Sequence, residues 1–402
     1  MRGTANPINP VQRHSLIDAL RGMALAGVLL ANIGWLCLYE FMTDAERAAL
    51  PTAGFDAFGL TLMQWFVNVK AITVFSILFG VGFALQIDRA ERRGDGGLRR
   101  FLRRLFWLLV IGVLHSYLLW WGDILLIYAV CGFLLVLFRR VPDGVLLWGG
   151  LFIALVLPGL IQPALNAVAP EATRAEVYAA GLHGFQSSSL AHALSVNTML
   201  ANWTRLSNWT LLCFVLGRFL LGYWAGRKGL LQDPHRHLAH IRRLFWISLL
   251  AAVIPLLLLK GVDVFAQWPR EGAGRVVRNV LQRLSPLALG IAYALAFAWM
   301  FTRPRTAKAL EWLAPVGRMA LTHYLMQSVI GIALFYGIGL DIGPRYGVPG
   351  WWLAFVAIFA AQIVFSHWWL ARFRFGPCEW AWRSLTYGAP QPMRLPKVAL
   401  AS

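Results

Sequence analysis

Charged residues are scarce in this 402-residue chain: Asp, Glu, Lys and Arg make up 14% of it, against 58% for hydrophobic residues. A soluble domain carries about 25% charged residues, so this composition excludes an ordinary soluble fold. Acidic residues are the rarest charged class, with 18 Asp and Glu against 37 Lys and Arg. We attribute the net charge of +19 to loop residues that set membrane topology and attract anionic headgroups. We therefore expect no nucleic acid partner.

Cysteine and several well-known motifs are also missing or rare. The four cysteines include no CxxC pair, so the sequence predicts neither a disulfide framework nor a metal site. No P-loop, GxSxG or HExxH motif occurs, and we expect no permanently bound cofactor. The first apolar run contains Asp18 and Arg21 and lacks a small-residue cleavage site, so we predict a retained helix rather than a secretory signal.

Long apolar runs are abundant, and a helix needs ~20 apolar residues to cross a bilayer. We predict an all-α, polytopic integral membrane bundle of about ten transmembrane helices in contact with the lipid bilayer. The predicted ranges are 16–39, 57–87, 101–119, 122–138, 144–165, 207–226, 243–260, 280–301, 315–338 and 350–371. The second range is too long for one upright helix. We expect an interfacial piece around 58–67, followed by a span that starts at Lys70.

Lys and Arg are concentrated in the loops on the side of the amino terminus, which the positive-inside tendency assigns to the cytoplasm. An even number of crossings puts both termini there, in a bacterial cytoplasmic (inner) membrane. The predicted divisions are a cytoplasmic tail over 1–15, a transmembrane domain over 16–371 and a cytoplasmic interfacial segment over 372–402. Residues 166–206 form the longest polar stretch, which we predict to be an extracytoplasmic loop or lid.

Residues 99–143 are typical of a transmembrane hairpin, with arginines at both ends and a Trp-Trp-Gly-Asp turn between them. His115 and Asp123 lie at membrane depth on either side of this turn, where ionisable side chains are costly and usually functional. A carboxylate on one ring nitrogen fixes the histidine tautomer and raises the basicity of the ring, so the pair suits general base catalysis. At the same predicted depth, Lys70 and Asn32 would stabilise a developing oxyanion.

Each of these residues also has a structural interpretation. Asp123 follows a glycine at a helix start, where a carboxylate caps the helix. His115 would then only bond to a neighbouring carbonyl, and Lys70 would extend to the membrane surface.

The inner half of the predicted bundle gathers a second group of polar residues. Arginine pairs bidentately with phosphate, so we predict that Arg21, Arg218 and Arg318, with His323, bind a phosphate-bearing donor from the cytoplasm. The alternatives are again structural. Asp18 lies three residues before Arg21 and would neutralise it on one helix face, and His323 would be a core histidine bonded to a partner helix.

The carboxy-terminal residues 376–388 are predicted to form an interfacial helix that closes the cytoplasmic end of the bundle. Glu379 and Arg383 are four residues apart, a spacing that favours an ion pair on one helix face. Trp380 and Trp382 suit the headgroup level.

Several stretches together resemble a known family, the YeiB-like family that contains domain of unknown function 418. The stretches are 16–24 (LIDALRGMA) with Asn32, 75–83 (FSILFGVGF), 121–125 (WGDIL), 317–324 (GRMALTHY) and 376–388 (GPCEWAWRSLTYG). This resemblance covers nearly the whole chain.

The family is in turn similar to membrane-embedded acyltransferases, namely the acyltransferase-3 and heparan-glucosaminide acetyltransferase groups. The resemblance implies transfer of an acyl group from cytoplasmic acyl-CoA, such as acetyl-CoA, to an acceptor across the membrane. Asp18, Arg21, Gly22 and Asn32 match the first helix of the second group. That group carries its active histidine in the loop after this helix, where residues 39–44 contain none. We therefore expect His115 to supply the base.

Three functions remain open. The first is an acyltransferase whose acceptor is a hydroxyl or amine of a sugar, a lipid or another cell-envelope molecule. The second is a transporter of a small anionic or hydrophobic solute, since buried charges also line transport paths. We find no inverted repeat or paired broken helices of the kind that many carriers have. The third is a non-catalytic component, such as a sensor. A homodimer is compatible with all three.

Overall fold

The structure, a computed structural model, describes residues 10–93, 97–265 and 272–395. Within these ranges every regular element is a helix, apart from an isolated bridge between Phe373 and Arg394. The prediction of an all-α membrane bundle is confirmed. The helices are α1 (Pro10–Leu36), α2 (Asp44–Ala48), α3 (Ala53–Phe66), α4 (Lys70–Arg93), α5 (Gly97–Leu118), α6 (Leu125–Leu137), α7 (Asp143–Leu151), α8 (Leu157–Asn166), α9 (Arg174–Gln186), α10 (Leu190–Ser207), α11 (Thr210–Arg227), α12 (Leu238–Phe265), α13 (Gly272–Phe301), α14 (Pro304–Glu311), α15 (Ala314–Arg318), α16 (Ala320–Phe335), α17 (Gly347–Leu370) and α18 (Pro377–Tyr387).

Seven segments of the described chain are helical, long and apolar enough to cross a bilayer. They are Ser15–Leu36, Ala53–Ile87, Gly97–Leu118, Asp143–Asn166, Leu238–Gly261, Gly272–Phe301 and Gly347–Leu370. The other three predicted spans correspond to α6, α11 and α16. Helix α6 has 13 residues and α16 has 16, while α11 meets α10 at an angle of 71°. A helix of the length of α6 rises roughly 20 Å, which is less than the ~30 Å hydrocarbon core.

Two predicted spans are shorter than expected because polar groups set new helix starts inside them. The predicted range 122–138 becomes Leu125–Leu137, preceded by Asp123. The range 315–338 is divided at Met319, whose φ of −110° and ψ of 27° are not helical. The division of 57–87 agrees with the prediction, since α3 ends at Phe66 and α4 begins at Lys70.

Helix α12 lies at the periphery of the bundle. Only 11% of its most apolar stretch is buried, and Trp246, Leu250 and Leu257 are exposed along it. Helix α17, at 22%, is almost as open. An apolar helix that is exposed in this way is stable against lipid but not against water, so these surfaces face the bilayer.

Helices α1 and α15 cross in direct backbone contact. A Cβ on Gly317 would collide with the carbonyl oxygen of Asp18, and one on Gly22 would collide with that of Leu313. Small residues at such crossings allow close helix packing in membranes. Because Arg21 and Arg318 adjoin these two glycines, the crossing brings both arginines to the same end of the bundle. We call this end, with residues 97–104 and 372–383, the arginine-rich end.

The opposite end, with residues 117–123, is called the tryptophan end. Helix α10, from the predicted loop or lid at 166–206, packs there against the end of α5, and α9 packs against α10. Asn197 of α10 donates to the carbonyl oxygens of Ser116 and Tyr117 at 3.0 and 3.1 Å, and accepts from the backbone N–H of Trp121 at 2.7 Å. These contacts hold a helical hairpin over the end of α5.

Candidate functional site

A chain of three hydrogen-bonded side chains lies between α5, α6 and α16. His115 Nδ1 is 2.8 Å from Asp123 Oδ1, and His115 Nε2 is 2.9 Å from Ser328 Oγ. All three are buried, with exposed fractions of 2% for His115, 9% for Asp123 and 2% for Ser328. The histidine therefore points into the bundle, between an acid and a hydroxyl.

The carboxylate fixes the direction of these bonds. An ionised carboxylate only accepts, so with Asp123 ionised and the ring neutral, His115 Nδ1 carries the proton and Nε2 accepts the hydrogen of Ser328. The second oxygen of Asp123 accepts from the backbone N–H of Leu126 at 2.8 Å. Asp123 thus caps α6 as well as orienting the ring, and the structural and functional interpretations of this residue are compatible.

Tyr324 lies beside this chain of bonds, one helical turn before Ser328. Its ring centroid is 5.2 Å from that of His115, and its hydroxyl accepts from the backbone N–H of Ile124 at 3.2 Å. No residue in the described part of the chain accepts the hydroxyl hydrogen of Tyr324, which is therefore available as a donor.

A cavity of about 390 Å³ runs from the arginine-rich end to Tyr324. Along α4 its wall extends from Gln86 to Ile72, a rise of roughly 21 Å at 1.5 Å per residue. The intermediate wall is apolar and includes Leu25, Phe75 and Leu108. Ligand pockets occupy about 300–1,000 Å³, so the cavity has room for an elongated organic molecule.

The mouth of the cavity is strongly basic. The charged residues that line it are Asp18, Arg21, Arg104, Arg318, Arg374, Glu379 and Arg383. Five arginines against two carboxylates leave a net charge of +3. One carboxylate, Asp18, pairs with Arg21 at 2.8 Å. This pair is the one expected if Asp18 neutralises Arg21 on one helix face. Arg318 is exposed, and one of its nitrogens lies 3.4 Å from the carbonyl oxygen of Arg374.

The second carboxylate at the mouth, Glu379 of α18, caps α16. It accepts from the backbone N–H groups of Leu321 at 2.6 Å and Thr322 at 3.0 Å, and from Thr322 Oγ1 at 2.6 Å. Burial raises the pKa of the Glu379 carboxyl above its ordinary value. Among the described residues Glu379 makes no ion pair with Arg383, so the predicted pair is wrong; the carboxylate instead accepts from the unsatisfied N–H groups at the start of α16. Arg383 instead lies over the ring of Phe375 at 4.4 Å.

Comparisons with known proteins agree with the resemblance. Residues 225–389 match the family described as "Protein of unknown function (DUF418)". The uncharacterized protein YeiB of Escherichia coli (strain K12) is 33% identical over 404 residues, which cover 95% of this chain and 98% of that protein. The chain belongs to the YeiB-like DUF418 family.

Two further relatives align over nearly the same length. The uncharacterized protein YxaH of Bacillus subtilis (strain 168) is 31% identical over 407 residues, which cover 95% of this chain and 96% of YxaH. The "Uncharacterized 39.9 kDa protein in amylase 3'region" of Bacillus acidopullulyticus is 28% identical over 413 residues, covering 98% of this chain and 99% of that protein. The similarity therefore extends beyond residues 225–389 to the amino-terminal half of this DUF418 protein.

The structure does not bring the predicted oxyanion groups to His115. Lys70 begins α4, and its Nζ donates to the carbonyl oxygen of Gln64 at 2.5 Å. Asn32 is half-buried on α1, and its side chain makes no hydrogen bond with any residue in the described ranges. The prediction assumed that equal depth means contact, but depth does not determine which helix faces meet.

Two of the predicted donor-binding residues also lie outside the cavity lining. Arg218 is 2% exposed and donates to Thr73 Oγ1 at 2.8 Å and to the carbonyl oxygen of Phe214 at 3.0 Å. His323 Nε2 lies 2.6 Å from Ser366 Oγ, between α16 and α17. The position of His323 matches the structural alternative of a core histidine bonded to a partner helix.

Sequence reasoning missed Ser328 and Tyr324, and it treated Arg104 only as a topology signal. A helical signal for the first two was present. Tyr324 and Ser328 are four residues apart, as are His323 and Gln327, so α16 carries two polar stripes on different faces. The stripe of Tyr324 and Ser328 faces α5, and the other faces α17.

Proposed function

We propose that this DUF418 protein is a membrane-bound acyltransferase that uses acyl-CoA as its donor. The observation that supports this most strongly is the cavity, which starts among arginines and ends at Tyr324, beside the buried Asp123–His115 pair. The acceptor would be a hydroxyl or amine of a cell-envelope molecule. The arginine-rich end corresponds to the cytoplasmic side under the positive-inside tendency, where acyl-CoA is present.

The mouth suits the phosphates of the donor. Guanidinium groups bind phosphate bidentately, and Arg21 and Arg318 are partly or fully exposed at the mouth. Arg104 lies deeper, between Gln86 Oε1 at 3.0 Å and the ring of Trp382 at 4.2 Å. The apolar wall beyond these arginines suits an acyl chain, because burying each CH₂ contributes about 0.8 kcal/mol.

Tyr324 at the deep end of the cavity, together with the His115–Asp123 pair behind it, suits the transfer itself. His115, with Nδ1 held by Asp123, is oriented to take a proton at Nε2 from an attacking group. The hydroxyl of Tyr324 is suited to donate a hydrogen bond to the carbonyl oxygen of the acyl group as negative charge develops on it. The donor would thus bind with its phosphates at the mouth and its acyl carbonyl near Tyr324.

Release of free CoA tests this proposal. The purified protein in lipid nanodiscs is given acetyl-CoA or a longer acyl-CoA, with and without envelope extract as a source of acceptor, and the new thiol is measured. We expect release that depends on the protein and is lost in His115→Ala, while Arg345→Gln at the tryptophan end, where Arg345 pairs with Asp341 at 2.8 Å, retains it. Absence of CoA release and of acyl-CoA binding under all these conditions would reject the proposal.

A second candidate function, a transporter, is favoured by one observation. The cavity reaches the arginine-rich end, while the tryptophan end is covered by α10 and by the buried Trp120 and Trp121. A carrier that is open to one side has the same geometry. Uptake of a labelled anionic amphiphile by proteoliposomes without any CoA ester would select this function.

A further inference from the structure

We infer that Ser328 carries the acyl group as a covalent ester during turnover. This inference rests on the proposed acyltransferase function and adds a nucleophile to it. The observation behind it is the order of the three side chains, with an acid on Nδ1 of His115 and a hydroxyl on Nε2. This order is the one by which a general base activates a serine.

The hydrogen bonding of Ser328 separates it from an ordinary serine in a membrane helix. A buried serine commonly donates to the carbonyl oxygen four residues earlier, as Ser366 does to Gln362 at 2.7 Å. Among the described residues, the only hydrogen-bond partner of the Ser328 side chain is His115. Its proton is therefore directed to the ring nitrogen that would remove it.

The access to the site gives a reason for a covalent intermediate. The cavity opens at the arginine-rich end, and its lining contains no residue of α9 or α10. Helix α10 is fixed over the end of α5 by Asn197 and by a hydrogen bond from Arg205 to Ser116 Oγ. In this conformation donor and acceptor cannot enter from opposite sides together. An acyl group held on the protein lets CoA leave before the acceptor arrives.

The reaction takes place in two balanced steps. Ser328 Oγ attacks the thioester carbon and its proton moves to His115 Nε2; the C–S bond breaks, and the CoA sulfur takes that proton. The acceptor oxygen or nitrogen then attacks the ester carbon and gives its proton to His115 Nε2; the C–Oγ bond breaks, and the proton returns to Ser328. Burial of Ser328 protects the ester from water between the steps.

Tyr324 lies between the cavity and the buried His115–Ser328 pair. It lines the deep end of the cavity and its ring contacts that of His115, while Ser328 lies one turn further along α16. Rotation of this side chain is the movement that brings the acyl carbon within reach of Ser328.

Trapping the ester tests the inference. The full-length protein in nanodiscs is mixed with acyl-labelled acyl-CoA in the absence of acceptor and quenched in acid, and its peptides are examined by mass spectrometry. We expect the label on the peptide that contains Ser328, and none in Ser328→Ala. Ser366→Ala is the matched control, because Ser366 also lies against a buried histidine; it keeps the label.

A cysteine variant keeps the test decisive if Ser328→Ala fails to fold. Ser328→Cys should become labelled through a thioester. Neutral hydroxylamine cleaves a thioester but leaves a serine ester intact, so the treatment distinguishes the two. A label on another residue would overturn the inference and place the acyl-enzyme there. CoA release by Ser328→Ala at the wild-type rate, with no labelled protein, would overturn it and leave direct acyl transfer standing. No CoA release from the wild type would instead overturn the proposed function, and the acyl-serine with it.

Discussion

Two buried histidine–serine pairs share helix α16, and only one of them has the surroundings of a catalytic site. His115 contacts Ser328 at 2.9 Å, and His323 contacts Ser366 at 2.6 Å. Asp123 holds the first ring, while the second lies next to the uncharged pair of Gln327 and Gln362. A histidine bonded to a serine is therefore not itself a site.

The two pairs also differ in what they face. The ring of His115 packs on Tyr324, which lines the cavity, whereas the ring of His323 packs on Phe365 of α17, a helix that is mostly exposed towards lipid. The acid fixes the tautomer, and under the proposed function the cavity supplies the substrate. We expect activity only where both occur.

Replacing each histidine by alanine should give the largest difference in activity between the two pairs. His115→Ala should lower acyl-CoA turnover by about 10³-fold, a typical loss for a general base, because no other group would accept the proton. His323→Ala should lower turnover far less, since that ring only links α16 to α17. Turnover rates of both purified variants, corrected for folded protein by gel filtration, measure the difference. Equal losses would remove the contrast between the two pairs.

Replacement of the acid should have the next largest effect. Asp123→Asn should lower kcat by about 10²–10⁴-fold, because an amide favours the wrong tautomer of His115. Asp56→Asn is a matched control, since Asp56 is also buried and accepts from the backbone N–H of Val348 at a helix start, at 3.0 Å. A loss in the control as large as in Asp123→Asn would mean that capping, and not tautomer control, explains the effect.

Loss of an arginine at the mouth should affect binding more than chemistry. Arg318→Gln should raise KM for acyl-CoA about tenfold, the equivalent of ~1.4 kcal/mol for a charge-assisted hydrogen bond, with little change in kcat. Neither His323 nor Ser366 lines this cavity. Steady-state kinetics with Arg345→Gln as the control measures this effect. A fall in kcat with unchanged KM would place the phosphates of the donor elsewhere.

The smallest expected effect is the pH dependence of the Glu379 cap, which supports both polar stripes of α16. Since burial raises the pKa of Glu379, the folded protein keeps a proton that the unfolded chain, with a carboxyl pKa of about 4.3, has lost. The free energy of unfolding of the wild type should therefore fall as pH rises through the interval between these two pKa values. Glu379→Gln lacks this contribution.

We expect the Tm of the wild type minus that of Glu379→Gln to decrease by a few degrees as pH rises above about 4.3. Thermal unfolding followed by tryptophan fluorescence measures this difference. Glu171→Gln, at an exposed position on the other end of the bundle, is the control. The Tm of the wild type minus that of Glu171→Gln should not change with pH. A difference that increases with pH would show that the fold favours the ionised carboxylate.

The sequence was sufficient to predict which segments are apolar helices, because length and hydropathy are local properties. It also predicted the proximity of His115 and Asp123, since a short turn connects their helices. It did not predict Ser328, which lies more than two hundred positions further along the chain and is brought to His115 only by the packing of α16 against α5. Lys70 and Asn32 were assigned by depth alone, and the rotation of a helix about its axis cannot be inferred from depth.

The backbone crossing at Gly22 and Gly317 has a consequence for how the proposed donor site can vary. Since no side chain separates α1 from α15 there, the distance between the attachment points of Arg21 and Arg318 is a property of the main chain. Neighbouring rotamers cannot change it, and a single added methyl group on either glycine would force the two guanidinium groups apart. Under the proposed function, substrate preference can be altered through the walls that would contact the tail of the donor, while the spacing of the two arginines that would bind its phosphates stays constant.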